Sequence, residues 1–553
     1  MVSINRSRIA RQCLRSGVAL RLMACLLTTL LALASATAGG GVAAQDNRAA
    51  QPRAFHLQEA TIADVHAALN SRAITCRALV DLYLARIEAY NKSGPAINAV
   101  QNINPHARQE AERLDAAFLS TGPVGPLHCV PVLVKDQVET RDMPTTYGSA
   151  VFKDFIPERD ATVVAKLKAA GAVIVAKSTM GEFASAYAGS AFGVSRNAYD
   201  PLRVPSGSSS GTGAGIAANL AMVGIVEDTG GSGRGPAAVH SLVALRPTVQ
   251  LVSRFGMMPG NPIRDTLGPL ARTVRDAALV LDAIAGYDAN DPMTAYAYGQ
   301  TPATYTALLT TDGLRGTRIG VIRDPMDNTT DTKSDDYRRV RVVTDEAIAD
   351  LAKLGAKLVD PLPLPPRNAA LNTGSAGSAG PFEAELNAYL AQHPNAPVKT
   401  LREIVLSGKV LPRRTREIMT GIGRSTSDPG YVQGLAAREQ LRLLWLKIMA
   451  DARLDAIVYA TFDHQPTLIP EDVLTSVEVG DYRAGSNRAL SPSVGFPSLT
   501  VPAGFTSDKL PVGLEFMGRP FAEATLFKLA YAYEQATHRR RPPPLTPPLP
   551  GEP

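Results

Sequence analysis

Two serines and one lysine carry the chemistry that this sequence offers. Ser208 and Ser232 each sit in a cluster of serine and glycine, within the run Val204–Pro236 (VPSGSSSGTGAGIAANLAMVGIVEDTGGSGRGP). Lys135 lies upstream, at the end of the apolar run VPVLVKD (Val130–Asp136). A serine hydroxyl is a poor nucleophile until a base takes its proton. Lysine does this only when neutral, so its pKa must fall by several units from about 10.4. An apolar strand that ends on the lysine supplies the desolvation. A second serine can accept a proton from the first and donate one to the lysine, because a hydroxyl does both. Glycines beside Ser232 let backbone N–H groups converge on one oxyanion, at about 3 kcal/mol per donor in the transition state. Taken singly, Lys135 reads as a surface or ion-paired lysine, Ser208 as a turn residue and Ser232 as a helix cap. Taken together, they read as a serine hydrolase that needs no histidine.

Other motifs compete less well. Gly207–Gly211 (GSSSG) fits the nucleophile-elbow pattern with Ser209 as nucleophile, but that pattern needs a strand directly before it, and Pro201 and Pro205 argue against one. Gly213–Ala218 (GAGIAA) fits a loose dinucleotide pattern and lacks the same strand. No glycine loop is followed by the GK[ST] of a phosphate loop, and the eight histidines show no metal-ligand spacing, so neither cofactor nor metal is expected.

The elements that must position these residues alternate between helix and strand. Leu57–Tyr90 has helical periodicity, opened by Thr61–Asp64, a capping box with Asp in place of Glu. Pro105–Leu119 and Thr162–Ala169 read as helices, and Cys129–Val134 and Ala172–Ala176 as buried strands. The small residues of Thr212–Met222 read as a closely packed helix joining the two serine clusters. Arg318–Ile322, Asp455–Tyr459, Pro497–Val501 and Leu514–Met517 read as strands, with helices at Val342–Leu354 and Ala522–Ala536. The alternation predicts an α/β domain with a mixed or mostly parallel sheet. Residues 327–453 are charged and helical without an obvious strand, and read as a layer that shapes the site. The proline-rich end (541–553) reads as a polyproline-like, solvated tail.

The chain has 553 residues, 45% hydrophobic and 20% charged, an ordinary globular composition. Most of the formal +6 charge comes from five arginines in residues 1–44, which hold no acid, and no basic stripe suggests a nucleic-acid partner. That segment reads as a secretory signal with cleavage near 36–44. Its apolar core, Leu22–Leu33, is shorter than the ~18 residues needed to span a bilayer. Export to the periplasm or beyond is expected, with no stable membrane anchor. Cleavage would leave two of the four cysteines, Cys76 and Cys129. A bridge between them is open in an oxidising compartment; two separate buried thiols are the expectation.

Together these blocks resemble the amidase signature family, serine amidohydrolases with a Ser–cis-Ser–Lys triad. The resemblance rests on VPVLVKD, GSSSGTGAG (Gly207–Gly215) and EDTGGSGRGPAA (Glu227–Ala238), with AKSTMGEFA (Ala176–Ala184), RDTLGPLARTVRDAALVLDAIAG (Arg264–Gly286) and GFPSLTVPAGF (Gly495–Phe505) in support, and covers about residues 55–540. It implies a central mixed β-sheet covered by helices on both faces, with a helical cap region. It implies Ser232 as acyl nucleophile, Ser208 as bridging serine after a cis peptide at Gly207, and Lys135 as the ultimate base. Backbone amides of Thr229, Gly230, Gly231 and Ser232 would form the oxyanion hole, and Ser209, Asp228 and Arg234 would orient the loop. The expected activity is hydrolysis of linear amides, other than the peptide backbone, in a small-molecule substrate. A carbamate or ester hydrolase, or a ligand-binding relative with an idle site, is the alternative. One component of the tRNA-dependent amidotransferases shares the signature, but export argues against it. Three residues depart from the family pattern: Ser206 in place of a glycine, Glu227 where Thr precedes Asp228, and Gly233 in place of a bulkier apolar residue. Glu227 is expected to disturb the loop, and Gly233 to widen the pocket beside Ser232.

Overall fold

The computed structural model describes residues 55–365, 380–478 and 485–553. The leader lies outside the described residues. The first helices form as their caps dictate. In α1 (Ile62–Asn70) the Thr61 hydroxyl accepts from Asp64 N, and the Asp64 carboxylate accepts from Thr61 N, closing the capping box. Helix α2 (Cys76–Tyr90) buries Leu79, Val80, Tyr83, Leu84 and Ile87, a helical-period stripe that faces the core.

The centre is an 11-stranded sheet. Strand β1 (Val100–Ile103) precedes helix α3 (Ala107–Thr121); β2 (Pro131–Lys135) and β3 (Val173–Ser178) flank helix α4 (Thr162–Ala169). A separate two-stranded ribbon joins β4 (Ala188–Gly189) and β5 (Gly193–Val194). Helix α5 (Ser210–Ala217) leads into β6 (Val223–Glu227), then α6 (Arg234–Ala238), β7 (Val243–Arg246), β8 (Leu267–Ala271) and α7 (Val274–Ile284). Strand β9 (Arg318–Val321), helix α8 (Asp335–Lys353), β10 (Lys357–Val359), β11 (Ala456–Ala460), β12 (Ser498–Phe505) and β13 (Pro511–Met517) complete the set, ahead of a last helix, Glu523–Thr537. The order across the sheet is β1-β3-β2-β6-β8-β7-β12-β13-β11-β9-β10. Parallel neighbours (β3-β2-β6, β11-β9-β10) alternate with antiparallel ones, so the sheet is mixed. Strands β2, β6, β11 and β13 are buried at every residue, as strands covered on both faces must be. Helices α5 and α6 pack together over β2, β6 and β7; α4, α7 and Glu523–Thr537 form another group on the sheet.

Four expectations change. The small-residue helix stops at Ala217 instead of running to Met222; Asn219 turns the chain at φ 59°, and Val223–Glu227 becomes a central strand. Residues 327–453 are not wholly helical, because β10 adds a strand to the sheet edge beside β9. Their helices do build an apolar cluster over the sheet loops, in which Leu386, Leu390, Leu401 and Ile404 pack with Tyr147, Phe183 and Met258. Cys76 and Cys129 are not separate thiols: a disulfide joins them, with Cα atoms 5.3 Å apart, and ties the start of α2 to the turn just before β2. The proline-rich end keeps most of its residues exposed, yet it is docked rather than free. Glu552 forms an ion pair with Arg86 in which neither side chain is more than 1% exposed, Thr546 O accepts from Arg86 Nη2, and Pro547 O accepts from Tyr90 OH. The polyproline backbone has spare carbonyls, and the buried Arg86 and Tyr90 need acceptors.

Two outcomes test this packing. The disulfide closes a 53-residue separation, so Cys129→Ser should cost about 4 kcal/mol by chain entropy, read as a lower urea midpoint that reduced wild type reproduces. Glu552→Ala strips the counter-charge from a buried guanidinium and should cost about 3 kcal/mol in the same titration.

Candidate active site

The site lies off the carboxyl ends of adjacent strands. Strands β2 and β6 run parallel with Val132 opposite Val223 and Val134 opposite Ile225, so Lys135, one residue past that pair, and Glu227, two past it, end the two strands at one edge. Strand β8 returns antiparallel with Leu267 opposite Glu227, which brings Asp265 and Thr266 to the same edge. Crevices outside the carboxyl ends of parallel strands are the usual place for ligands in open α/β sheets.

Lys135 is fully buried. Its ammonium nitrogen donates to Ser208 Oγ at 2.7 Å, to Glu227 Oε2 at 2.7 Å and to Glu227 O at 3.3 Å. Burial pushes its pKa below the ordinary lysine value, with Glu227, Asp228 and Asp265 opposing the shift. Ser208, also buried, follows a cis peptide after Gly207, and Gly181 N donates to its carbonyl at 3.0 Å. Glycine is required at 207 because a Cβ there would lie 1.7 Å from the Ala186 carbonyl oxygen. Lysine and bridging serine are therefore brought together as the sequence leads one to expect.

Ser232 stands at the mouth, half-buried, just before α6. Asp228 gathers the turn that carries it: its carboxylate accepts from Gly231 N at 2.6 Å and from Gly233 N and Arg234 N at 3.2 Å, and pairs with Arg234 Nε at 3.0 Å. Burial alone would raise the Asp228 carboxyl; Arg234 and Arg246 hold it well below the usual range. Arg234 is itself anchored to Glu515, which Tyr459 and Ser498 also reach. Ser209 N donates to Ser232 O at 3.2 Å and Ser209 Oγ to Glu227 O at 3.2 Å, coupling the two serine loops. The side chain of Ser209 is buried, so it does not stand where an elbow nucleophile would. Among the described residues no hydrogen bond joins Ser232 Oγ to Ser208, and the N–H groups of Thr229, Gly230 and Ser232, half-buried or exposed residues, have no acceptor. Gly231 is the exception to the expected oxyanion hole, because its N–H is spent on Asp228.

The departures from the family pattern have structural partners. Glu227 does not disrupt the loop; it is the ion-pair partner of Lys135, and neither side chain is exposed to solvent. Ser206 adopts φ 58°, and its hydroxyl accepts from Arg488 Nη1 at 3.3 Å while the same nitrogen donates to Gly231 O at 2.9 Å. Arg488 stacks on Phe462 at 4.4 Å, so the Phe462 loop borders the nucleophile turn. Gly233 does not open the pocket: a Cβ there would point into Val226 Cγ2 at 2.7 Å, toward the core. Asp265 is visible in the sequence only as part of the RDTLGPLA block, with nothing there to tie it to Glu227.

The Asp228 pairs predict a stability effect. Asp228→Asn leaves Arg234 and Arg246 without that charge and should cost about 3 kcal/mol or more at neutral pH. The contribution of a depressed carboxyl is present above its unfolded value of 3.8 and is lost as pH falls through the still lower folded value. Urea midpoints of wild type and variant should therefore differ at neutral pH and converge only in strong acid.

Comparison with known proteins agrees with this geometry. The Amidase family model matches residues 78–527. A probable amidase of Arabidopsis thaliana is 33% identical, over 88% of this chain and 92% of its own. The structure of an amidase family protein from Bacillus anthracis superposes with a TM-score of 0.77 at 32% identity, covering 88% of this chain and 92% of that one. The structure of native peptide amidase from Stenotrophomonas maltophilia superposes with a TM-score of 0.78 at 35% identity, covering 89% of this chain and 100% of that one. A mixed sheet, a buried lysine on a bridging serine and a sequence match over most of the length converge: the chain belongs to the amidase family and is an amidohydrolase.

Proposed function

We propose that this chain is a secreted serine amidase that cleaves linear carboxamide C–N bonds, other than internal peptide bonds, through an acyl-enzyme on Ser232. The observation that carries the reading is the 2.7 Å contact between the buried Lys135 Nζ and Ser208 Oγ, one step behind the accessible Ser232. In this reading Ser232 Oγ attacks the carbonyl as its proton passes to Ser208 and that of Ser208 to Lys135. The amides of Thr229, Gly230 and Ser232 receive the oxyanion. Collapse expels the amine, protonated through the same relay, and water then releases the acid. Substrates with a terminal carboxamide, including C-terminally amidated peptides, are favoured by the likeness to a peptide amidase. Export is supported by the leader pattern and by the Cys76–Cys129 disulfide, a bond that belongs to oxidising compartments.

One observation favours a second reading. The Lys135–Glu227 ion pair favours the ammonium, which is not a base, against the burial that disfavours it, so a ligand-binding protein with an idle site has a physical rationale. Amine or ammonia release from primary amides, anilides, amidated peptides, carbamates and esters decides between them. The wild type should turn over at least one amide, with Ser232→Ala and Lys135→Ala each losing ~10³-fold or more in kcat. Full activity in either variant overturns the assignment, and binding without turnover selects the second reading.

A further inference from the structure

Lys135 has three N–H donors as an ammonium, and all three are engaged: on Ser208 Oγ, Glu227 Oε2 and Glu227 O. No lone pair is left to receive the Ser208 proton, so one proton must leave the nitrogen as another arrives. Ser208 is the source, and a backbone carbonyl is not a base. Glu227 Oε2, at 2.7 Å, is the remaining contact.

The far side of Glu227 is arranged for this. Thr229 Oγ1 bonds to both Glu227 Oε1 and Asp265 Oδ1, the latter at 2.6 Å. A hydroxyl has one hydrogen and can donate to only one of them, so one of the two carboxyls carries a proton of its own. Asp265 Oδ2 accepts from Gly260 N and Asn261 N at 2.7 Å, which leaves Oδ1 to hold that proton and give it to Thr229. The pocket then contains one carboxylate, Glu227, opposite one ammonium. Burial, followed by the Glu227 charge, raises Asp265 to about 7, in keeping with that count. The other ionisable groups close to this pair are Asp228, neutralised by Arg234 and Arg246, and Tyr147, whose hydroxyl donates to Pro259 O.

We propose that Glu227 is the terminal proton acceptor of the relay and that Lys135 works as an ammonium that passes protons through. As Ser232 Oγ bonds to the acyl carbon, Lys135 gives a proton to Glu227, its amine turns the freed lone pair to Ser208 and takes the Ser208 proton, and Ser208 takes that of Ser232. The carboxylate charge disappears as the oxyanion charge forms, so charge is conserved and no free neutral lysine is needed at rest. Collapse runs the protons back to the departing nitrogen as the C–N bond breaks. Glu227 touches no substrate; it acts through Lys135, with Thr229 and Asp265 holding its other oxygen. This inference rests on the amidase reading above.

The test is Glu227→Gln, which keeps the size and the acceptor for Lys135 but takes no proton. Two readouts are followed against pH: amide turnover, and the rate at which phenylmethylsulfonyl fluoride modifies Ser232. At neutral pH kcat and labelling should fall ~100-fold or more, with KM within about twofold. Both should recover as pH rises through the Lys135 pKa of the variant, which lies below the ordinary value of about 10.4 because burial depresses it and the Glu227 charge no longer opposes the shift; there Lys135 gives its proton to solvent and becomes a base unaided. Wild-type rates at neutral pH, or a loss of the same size at every pH, overturn the proposal. If wild type neither turns over nor labels, the amidase reading itself fails; if wild type does both and the variant matches it, only this inference fails. A measurement on wild type alone guards against a variant that does not fold. Infrared difference spectra on adding a boronic acid, which forms a tetrahedral anion on Ser232, should show a new protonated-carboxyl band that shifts with 13C-glutamate. Its absence from a formed adduct overturns the proposal.

Discussion

A charged nitrogen placed out of reach of water is the constraint around which this site is built. Lys135 ends a strand whose five residues are all buried, so its ammonium must be satisfied by protein alone. An isolated buried charge costs far more than any single contact returns, and such groups persist only when paired and hydrogen-bonded. The parallel neighbour supplies the pair: Glu227 is the last residue of β6, one step beyond the residue level with Lys135. The remaining donor finds Ser208, and the loop that presents Ser208 runs so close to Ala186 that only glycine precedes it. Position, charge and proton path thus follow from where two strands stop.

The turn that carries Ser232 obeys a second, separate balance. Asp228 accepts from three backbone N–H groups and two arginines, and Arg234 passes the load to Glu515 on β13. The turn is therefore clamped to the sheet, and among the described residues the amides of Thr229, Gly230 and Ser232 are left without an acceptor. Preorganised donors that need not move at the moment of reaction are what electrostatic stabilisation of an oxyanion asks for.

Much of this is legible from residue order. The capping box at Thr61, the strand that ends on Lys135 and the helix at Thr162–Ala169 stand where periodicity and caps place them. What escapes does so for physical reasons. Val223–Glu227 is a short, fully buried strand, and a short apolar run carries no period to separate it from the Ala-Gly helix before it. The Lys135–Glu227 pair spans 92 residues and depends on sheet register, which local pattern does not encode. Gly233 suggests pocket space because a missing side chain says nothing about which way a Cβ would point. The proline-rich end suggests a solvated tail by composition alone, and composition is silent on the buried arginine that claims its carbonyls.

That arginine also sets a schedule. Arg86 sits early in the chain, and its carboxylate partner comes 466 residues later. At a synthesis rate of ~5–20 residues per second, roughly half a minute or more separates the two. During that interval the Arg86 guanidinium lacks the carboxylate that pairs with it in the folded chain. The segment around Glu552 can therefore neutralise this guanidinium only after the sheet and its helices have been made.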